Sequence, residues 1–147
     1  MTGDGFFDGL TAHDRDVLLG LSHEELYDDG ARIFDEGGPA GACWLITQGR
    51  VALDTLVPGQ GRVVVETLGS GDLLGWSWLV PPYRWHFGAG AIGAVHATAF
   101  DAEQLRALAD RDPRLGYLLT RQLLSVVLDR LQSTRARLLD LYGPDRP

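Results

Sequence analysis

The spacing of apolar positions changes character twice along the chain. Residues 11–20 (TAHDRDVLLG) have a threonine in the N-cap position, acids in the early turns and a glycine at the end, which predicts a short helix. Ser22-His-Glu-Glu25 imitates a capping box, but Gly30 follows within two turns, so extended structure is expected from Glu24 onward. From residue 31 to Phe100 the chain is a series of short apolar segments, ARIF, CWLITQGRVAL, RVVVETLG and AVHATAF, broken by glycine. Short runs between turn signals fit an antiparallel barrel or jelly roll better than any helical scheme, placing a β-roll over residues 24–100. Gly49, between Trp44-Leu45-Ile46 and Val51-Ala52-Leu53, marks a tight turn or bulge with positive φ. Pro58-Gly59-Gln60-Gly61 reads as an exposed hairpin turn.

Helical spacing returns after Phe100. Asp101 caps a short helix over 101–109, and Asp112-Pro113 opens a long one, 113–142, that stops at Gly143-Pro144. Its apolar positions form two stripes. Leu119, Leu123 and Val127 can cover the roll, while Leu124, Leu128, Leu131, Leu138 and Tyr142 form a second line interrupted only by Arg135. The second line reads as a seam for an identical helix in a homodimer; the alternative is one wide buried face. The predicted class is therefore mainly β with α, an antiparallel jelly roll flanked by helices, as one domain over residues 1–147.

Composition narrows the function. The net charge of −7 opposes a phosphate backbone, so direct nucleic-acid binding is not expected. No long apolar run or secretory start is present, so no membrane span is expected and a cytoplasmic location is. One cysteine among four scattered histidines gives no metal-ligand spacing, and Cys43 beside Trp44 reads as a buried hydrophobe, so neither metal, cofactor nor catalytic residues are expected. All thirteen basic residues are arginine, which removes lysine chemistry. His13 and His23 read as exposed, and His96 as a structural strand residue. Glu66 reads as a solvent-facing strand residue, and Asp72 as tightening the turn before Leu73.

Against that background residues 69–91, GSGDLLGWSWLVPPYRWHFGAGA, stand out, with three of the four tryptophans and five of the thirteen aromatic residues. Arg84 lies in sequence among Trp76, Tyr83 and Trp85, poised to meet an anion or stack on a ring.

Gly30-Ala-Arg-Ile-Phe-Asp-Glu-Gly37, Ile46-Thr-Gln-Gly49-Arg-Val51-Ala-Leu53 and Leu68-Gly-Ser-Gly-Asp72-Leu-Leu-Gly75 follow one another as they do in the cyclic nucleotide-binding domains of catabolite activators and protein-kinase regulatory subunits. The chain resembles that family over about residues 6–142. The resemblance implies a phosphate-binding cassette starting at Gly75, a helical turn whose free amides hold an anion. It also implies a glutamate directly after Gly75 for the ribose and an arginine about ten residues later for the phosphate. Here Trp76 takes the glutamate slot, and the arginine register falls near Trp85 or His86, with Arg84 slightly early. A buried ribose hydroxyl without its acceptor costs on the order of 1–3 kcal/mol.

The resemblance thus implies a regulatory module whose candidate ligand contacts are Gly75, Trp76, Ser77, Trp78, Arg84, Trp85 and His86. The ligand would be cyclic AMP, cyclic GMP or another small anion, with the long helix signalling to an unidentified effector protein. The alternative is a dimerisation or partner-binding module whose pocket is filled by its own side chains, Trp76 foremost. The helix-turn-helix that transcription regulators of this family carry is not expected after the long helix.

Overall fold

The computed structural model describes Phe7 and residues 9–141; Tyr142 of the expected seam lies outside them. Helix α1 (Ala12–Leu19) starts where Thr11 Oγ1 accepts from the Asp14 amide at 3.1 Å. Asp14 is buried and receives two hydrogen bonds from Arg114, at 2.7 and 2.9 Å, tying the start of the chain to its last helix. Those hydrogen bonds hold the carboxyl down at a pKa of about 2, against an ordinary 3.8. Because the folded value is depressed, this stabilisation is complete above the unfolded pKa and is lost as pH falls toward the folded one. Asp14→Asn is accordingly expected to lower Tm at neutral pH. The gap from the parent chain should narrow between about pH 4 and pH 2 in parallel thermal melts; a gap that stays constant through that window would refute the assignment.

Two long strands, β3 (Ala42–Val57) and β6 (Gly88–Asp101), pair antiparallel through registers such as Cys43 with Phe100 and Leu53 with Ala89. The order across the sheet is β1-β6-β3-β4, with β1 (Ser22–Tyr27) and β4 (Gly61–Leu68) at the edges; the short β2 (Arg32–Phe34) pairs with β6, and β5 (Leu73–Leu74) with β3. All five of these strand pairings are antiparallel, as the apolar segmentation predicts. Gly49 makes a bulge inside β3, since the strand runs through it with register shifts on either side of Gln48. The Pro58–Gly61 turn joins β3 to β4, closed by Gln60 N to Val57 O at 2.9 Å. β6 begins at Gly88, earlier than AVHATAF suggests, because GAGAI lacks the bulky side chains that signal a strand.

Helix α2 (Ala102–Arg111) is capped by Asp101, whose carboxylate accepts from Gln104 N at 2.9 Å. Helix α3 (Pro113–Leu141) buries Leu115, Leu119 and Leu123 against the rest of the molecule. Val127 is half-buried, as the first stripe requires. Leu124, Leu128, Leu131 and Leu138 are 47–61% exposed, and Arg135 is exposed. The core runs from Phe7 and Leu18 through Ile46, Val51 and Phe100 to Leu105 and Leu119. Cys43 is fully buried there, and burial pushes its thiol pKa well up, so it sits as a hydrophobe.

Candidate functional site

Residues 75–87 cross the open end of the roll, and the alternation of their side chains decides what fills it. A bridge between Pro39 and Arg84, with Trp85 N donating to Gly38 O at 2.9 Å and Gly37 N to Trp85 O at 2.8 Å, fixes the register of this loop. In that register Trp85 turns inward and Arg84 outward. The Trp85 indole is 6% exposed and stacks on Phe34 at 3.9 Å between ring centroids; Trp44 also stacks on Phe34, at 5.5 Å, and stands 6.0 Å from Trp85, so the three rings form one cluster. Its outer edge lies against Gly75, where an added Cβ would be 2.8 Å from a ring carbon. Beside it remains a void of about 20 Å³, room for roughly one water.

Arg84 is exposed and donates to the Gly37 carbonyl at 3.3 Å. The cations that meet the aromatic rings come from the helices. Arg106 of α2 lies over Tyr83 at 4.5 Å and donates to the Trp78 carbonyl at 2.6 Å. Arg130 of α3 lies over Trp76 at 4.9 Å and donates to the Leu73 carbonyl at 2.8 Å.

Trp76, half-buried, divides two spaces beneath α3. One, of about 370 Å³, lies between the cassette loop and Leu123, Leu124 and Val127. The other, of about 530 Å³, lies between the roll and the C-terminal turns of α3; Leu53, Val65, Trp76 and Phe87 line it on one side and Arg130, Leu131, Thr134 and Leu138 on the other, and Leu53, Trp76 and Phe87 also line the small void beside Trp85. Arg130 is its most consequential wall. The side chain is only 12% exposed, its Nε is 3.6 Å from Glu66, and its Nη1 finds no acceptor among the described residues. Burial pushes the guanidinium pKa down, while Glu66 opposes that effect. Arg137 approaches the same carboxylate at 3.8 Å from the rim.

Of the sequence-predicted contacts, Gly75, Trp76, Ser77, Trp85 and His86 gather around the small void. Ser77 Oγ and His86 Nδ1 share a hydrogen bond of 3.1 Å. Trp78 is fully buried, and Arg84 is outside. No helix forms after Gly75: residues 77–82 are turns, so the helix dipole that would draw an anion there is missing. The ring that fills the roll is Trp85, where the sequence favours Trp76. Glu66 is an ion-pair member rather than a solvent-facing strand residue, at 18% exposure. Glu36 is taken by Thr55 and the Leu56 amide, and Asp72 accepts from Gly69 N at 2.8 Å, tightening its turn. Arg130 was missed although it falls three residues after Val127 on the stripe Leu119, Leu123, Val127; a cation on a buried stripe is a signal in its own right.

The sequence profile described as cyclic nucleotide-binding domain matches residues 24–112. The chain belongs to the cyclic nucleotide-binding domain family. Solved structures agree. One, from Geobacter metallireducens and described as cyclic nucleotide-binding, is 27% identical, with 86% of this chain and 91% of that chain covered and a TM-score of 0.78. The Thermus thermophilus catabolite activator protein is 27% identical over 94% of this chain and 63% of its own, with a TM-score of 0.76. The regulatory domain of Toxoplasma gondii PKA, solved with cAMP, shares the fold at 19% identity over 89% of this chain and 46% of that one, with a TM-score of 0.70. No curated protein matches the sequence. Within this cyclic nucleotide-binding domain no described helix is long and apolar enough to cross a membrane, and no described cluster of His, Cys, Asp or Glu is placed to hold a metal.

Proposed function

We propose that this cyclic nucleotide-binding domain is a regulatory module that senses a small anion in the space between the roll and α3, with Arg130 meeting the charge. Cyclic AMP and cyclic GMP are the ligands the family name suggests, and other anions with an apolar body fit the same description. One observation carries the reading: a nearly buried guanidinium lies on an indole face with its Nη1 lacking an acceptor among the described residues. Leaving a buried donor unpaired costs about 1–3 kcal/mol, and a bound anion relieves that cost. Arg130 belongs to α3, while its present partners, the Leu73 carbonyl and Glu66, belong to the roll. An anion competing for Arg130 therefore favours a different seating of α3, which is the differential affinity that a signal to an effector protein requires. In this reading Trp76 remains a ligand-side residue, Ser77 and His86 line the adjoining space across the Trp76 ring, and Arg84, Trp85 and Trp78 are not ligand contacts.

Calorimetric titration with cyclic AMP, cyclic GMP and a panel of apolar carboxylates tests it. At least one should bind, binding should fall by about tenfold or more in Arg130→Ala, and Arg84→Ala should leave it unchanged. Loss in Arg84→Ala with retention in Arg130→Ala would reverse the assignment.

A second reading is favoured by the Phe34–Trp85 stack, which occupies the roll with protein. The chain would then work without ligand, as a homodimer joined along Leu124, Leu128, Leu131 and Leu138. Silence of every ligand at millimolar concentration supports it. Leu128→Asp with Leu131→Asp should then halve the solution mass by light scattering; an unchanged mass removes this seam.

A further inference from the structure

The walls of the larger space beneath α3 narrow the chemistry of its ligand, and the inference rests on the sensing role proposed for Arg130. We infer that the ligand is a monocarboxylate with an apolar tail rather than a cyclic nucleotide, its carboxylate taking the free Nη1 N–H of Arg130 and its tail lying along α3 toward Leu141.

Three observations converge. The first is what the roll has closed. The void beside Gly75 is about 20 Å³, Trp85 fills the neighbouring space, and Arg84 points away, so a ribose and cyclic phosphate have no room in that void and no cation among the described residues lining it. The second is the surface of the space that remains open. At about 530 Å³ it is large enough for a small molecule, and the surface it offers is almost entirely carbon, from Leu53, Val65, Phe87 and Leu138 among others. Hydroxyls and base edges placed against such walls would lose water without gaining partners, whereas an alkyl or aryl tail gains burial along its whole length. From Arg130 to Leu141 the helix advances about 16 Å, enough for a medium-length tail.

The third observation is the charge. Arg130 and Arg137 share the carboxylate of Glu66, and Asp72 and Asp129 act on Arg130 from farther off, so a surround this rich in carboxylates tolerates one added negative charge better than two, which favours a monoanion. Glu66 sits on the Nε side of Arg130 and the Leu73 carbonyl takes Nη2, so only Nη1 is left for the ligand. A carboxylate is a planar acceptor well matched to a guanidinium edge. Since Nη1 is covered in this state, entry requires the Trp76 ring above Arg130 to give way. That couples occupancy to the same ring that separates the two spaces beneath α3.

The test is calorimetric titration of the full chain at fixed ionic strength with four probes: octanoate, 1-octanol, cyclic AMP and cyclic GMP. Octanoate should bind at least about tenfold more tightly than 1-octanol, which has the same tail and no charge. Neither cyclic nucleotide should displace it. Arg130→Gln should bring octanoate down to the level of 1-octanol while leaving 1-octanol unchanged, which also shows that the variant is folded. Should that variant fail to fold, the octanoate-to-octanol ratio on the parent chain still decides. Equal binding of the two probes overturns the inference. Binding of a cyclic nucleotide that depends on Arg130, with octanoate silent, overturns the ligand class and leaves the sensing role standing. Silence of all four probes overturns both.

Discussion

Trp85→Ala is expected to destabilise the chain by about 3–5 kcal/mol, a fall in Tm on the order of 10 °C for a domain of this length. The ring is 6% exposed, stacked on Phe34 and pressed against Gly75, so its removal takes away both buried area and the partner that holds the Trp44–Phe34 stack in place. The surrounding backbone cannot collapse to refill the space, because Gly37, Gly38 and Trp85 are tied by main-chain hydrogen bonds that alanine keeps. The cavity left is apolar and flat, so added indole should recover part of the lost Tm by binding only the folded variant. A shift below about 2 °C, or no response to indole, would mean that the ring does not fill the roll. The same experiment bears on function: if Trp85 is the plug, its removal reopens the interior without creating the missing ribose acceptor, so cyclic nucleotide affinity should not appear with it.

The contrast between Trp85 and Arg84 shows where sequence reasoning stops. Local signals were readable because their causes are local. Thr11, Asp101 and Pro113 sit at helix starts where a side-chain oxygen or a fixed φ favours the first turn. The Pro58–Gly61 turn and the strand segments between glycines follow from the same short-range chemistry. The orientation of the cassette loop does not. Neighbouring residues in an extended segment point opposite ways, and which of Arg84 and Trp85 faces inward is set by pairing with Pro39, some 45 residues back. Arg130 raises the same difficulty over a longer reach. It falls three residues after Val127, a position the sequence reading passes over, and that it lies over Trp76 and beside Glu66 depends on how α3 crosses β4 and the cassette. The exposed leucines of α3 were correctly separated from the buried ones, yet two of them, Leu131 and Leu138, also line the open space, a double position that periodicity does not show.

Gly49→Ala is the other substitution expected to have a large effect, and it reaches the candidate site from a distance. Gly49 has φ +93°, and a Cβ there would lie 2.3 Å from the Ala94 carbonyl oxygen and 3.1 Å from Val95 Cα. Both obstacles are backbone of the paired strand, so no side chain can move aside. The left-handed conformation and the clash together should cost about 3 kcal/mol or more. Gly59→Ala supplies the control: its φ is +82° but nothing lies within 4 Å of the added carbon, so only the conformational cost of about 1–2 kcal/mol applies. Urea midpoints of the two variants separate the terms, and equal midpoints would show that the bulge yields without resistance. The relief open to Gly49→Ala is to slip the register of β3 on β6, and a slip of one residue turns every later side chain of β3 to the opposite face. Leu53 would then leave the wall of the open space, and Asp54 would leave Arg32, to which it is bound at 2.7 and 3.0 Å. Any anion bound against Arg130 should therefore be lost in Gly49→Ala under conditions where Gly59→Ala, also far from α3 in sequence, still binds it.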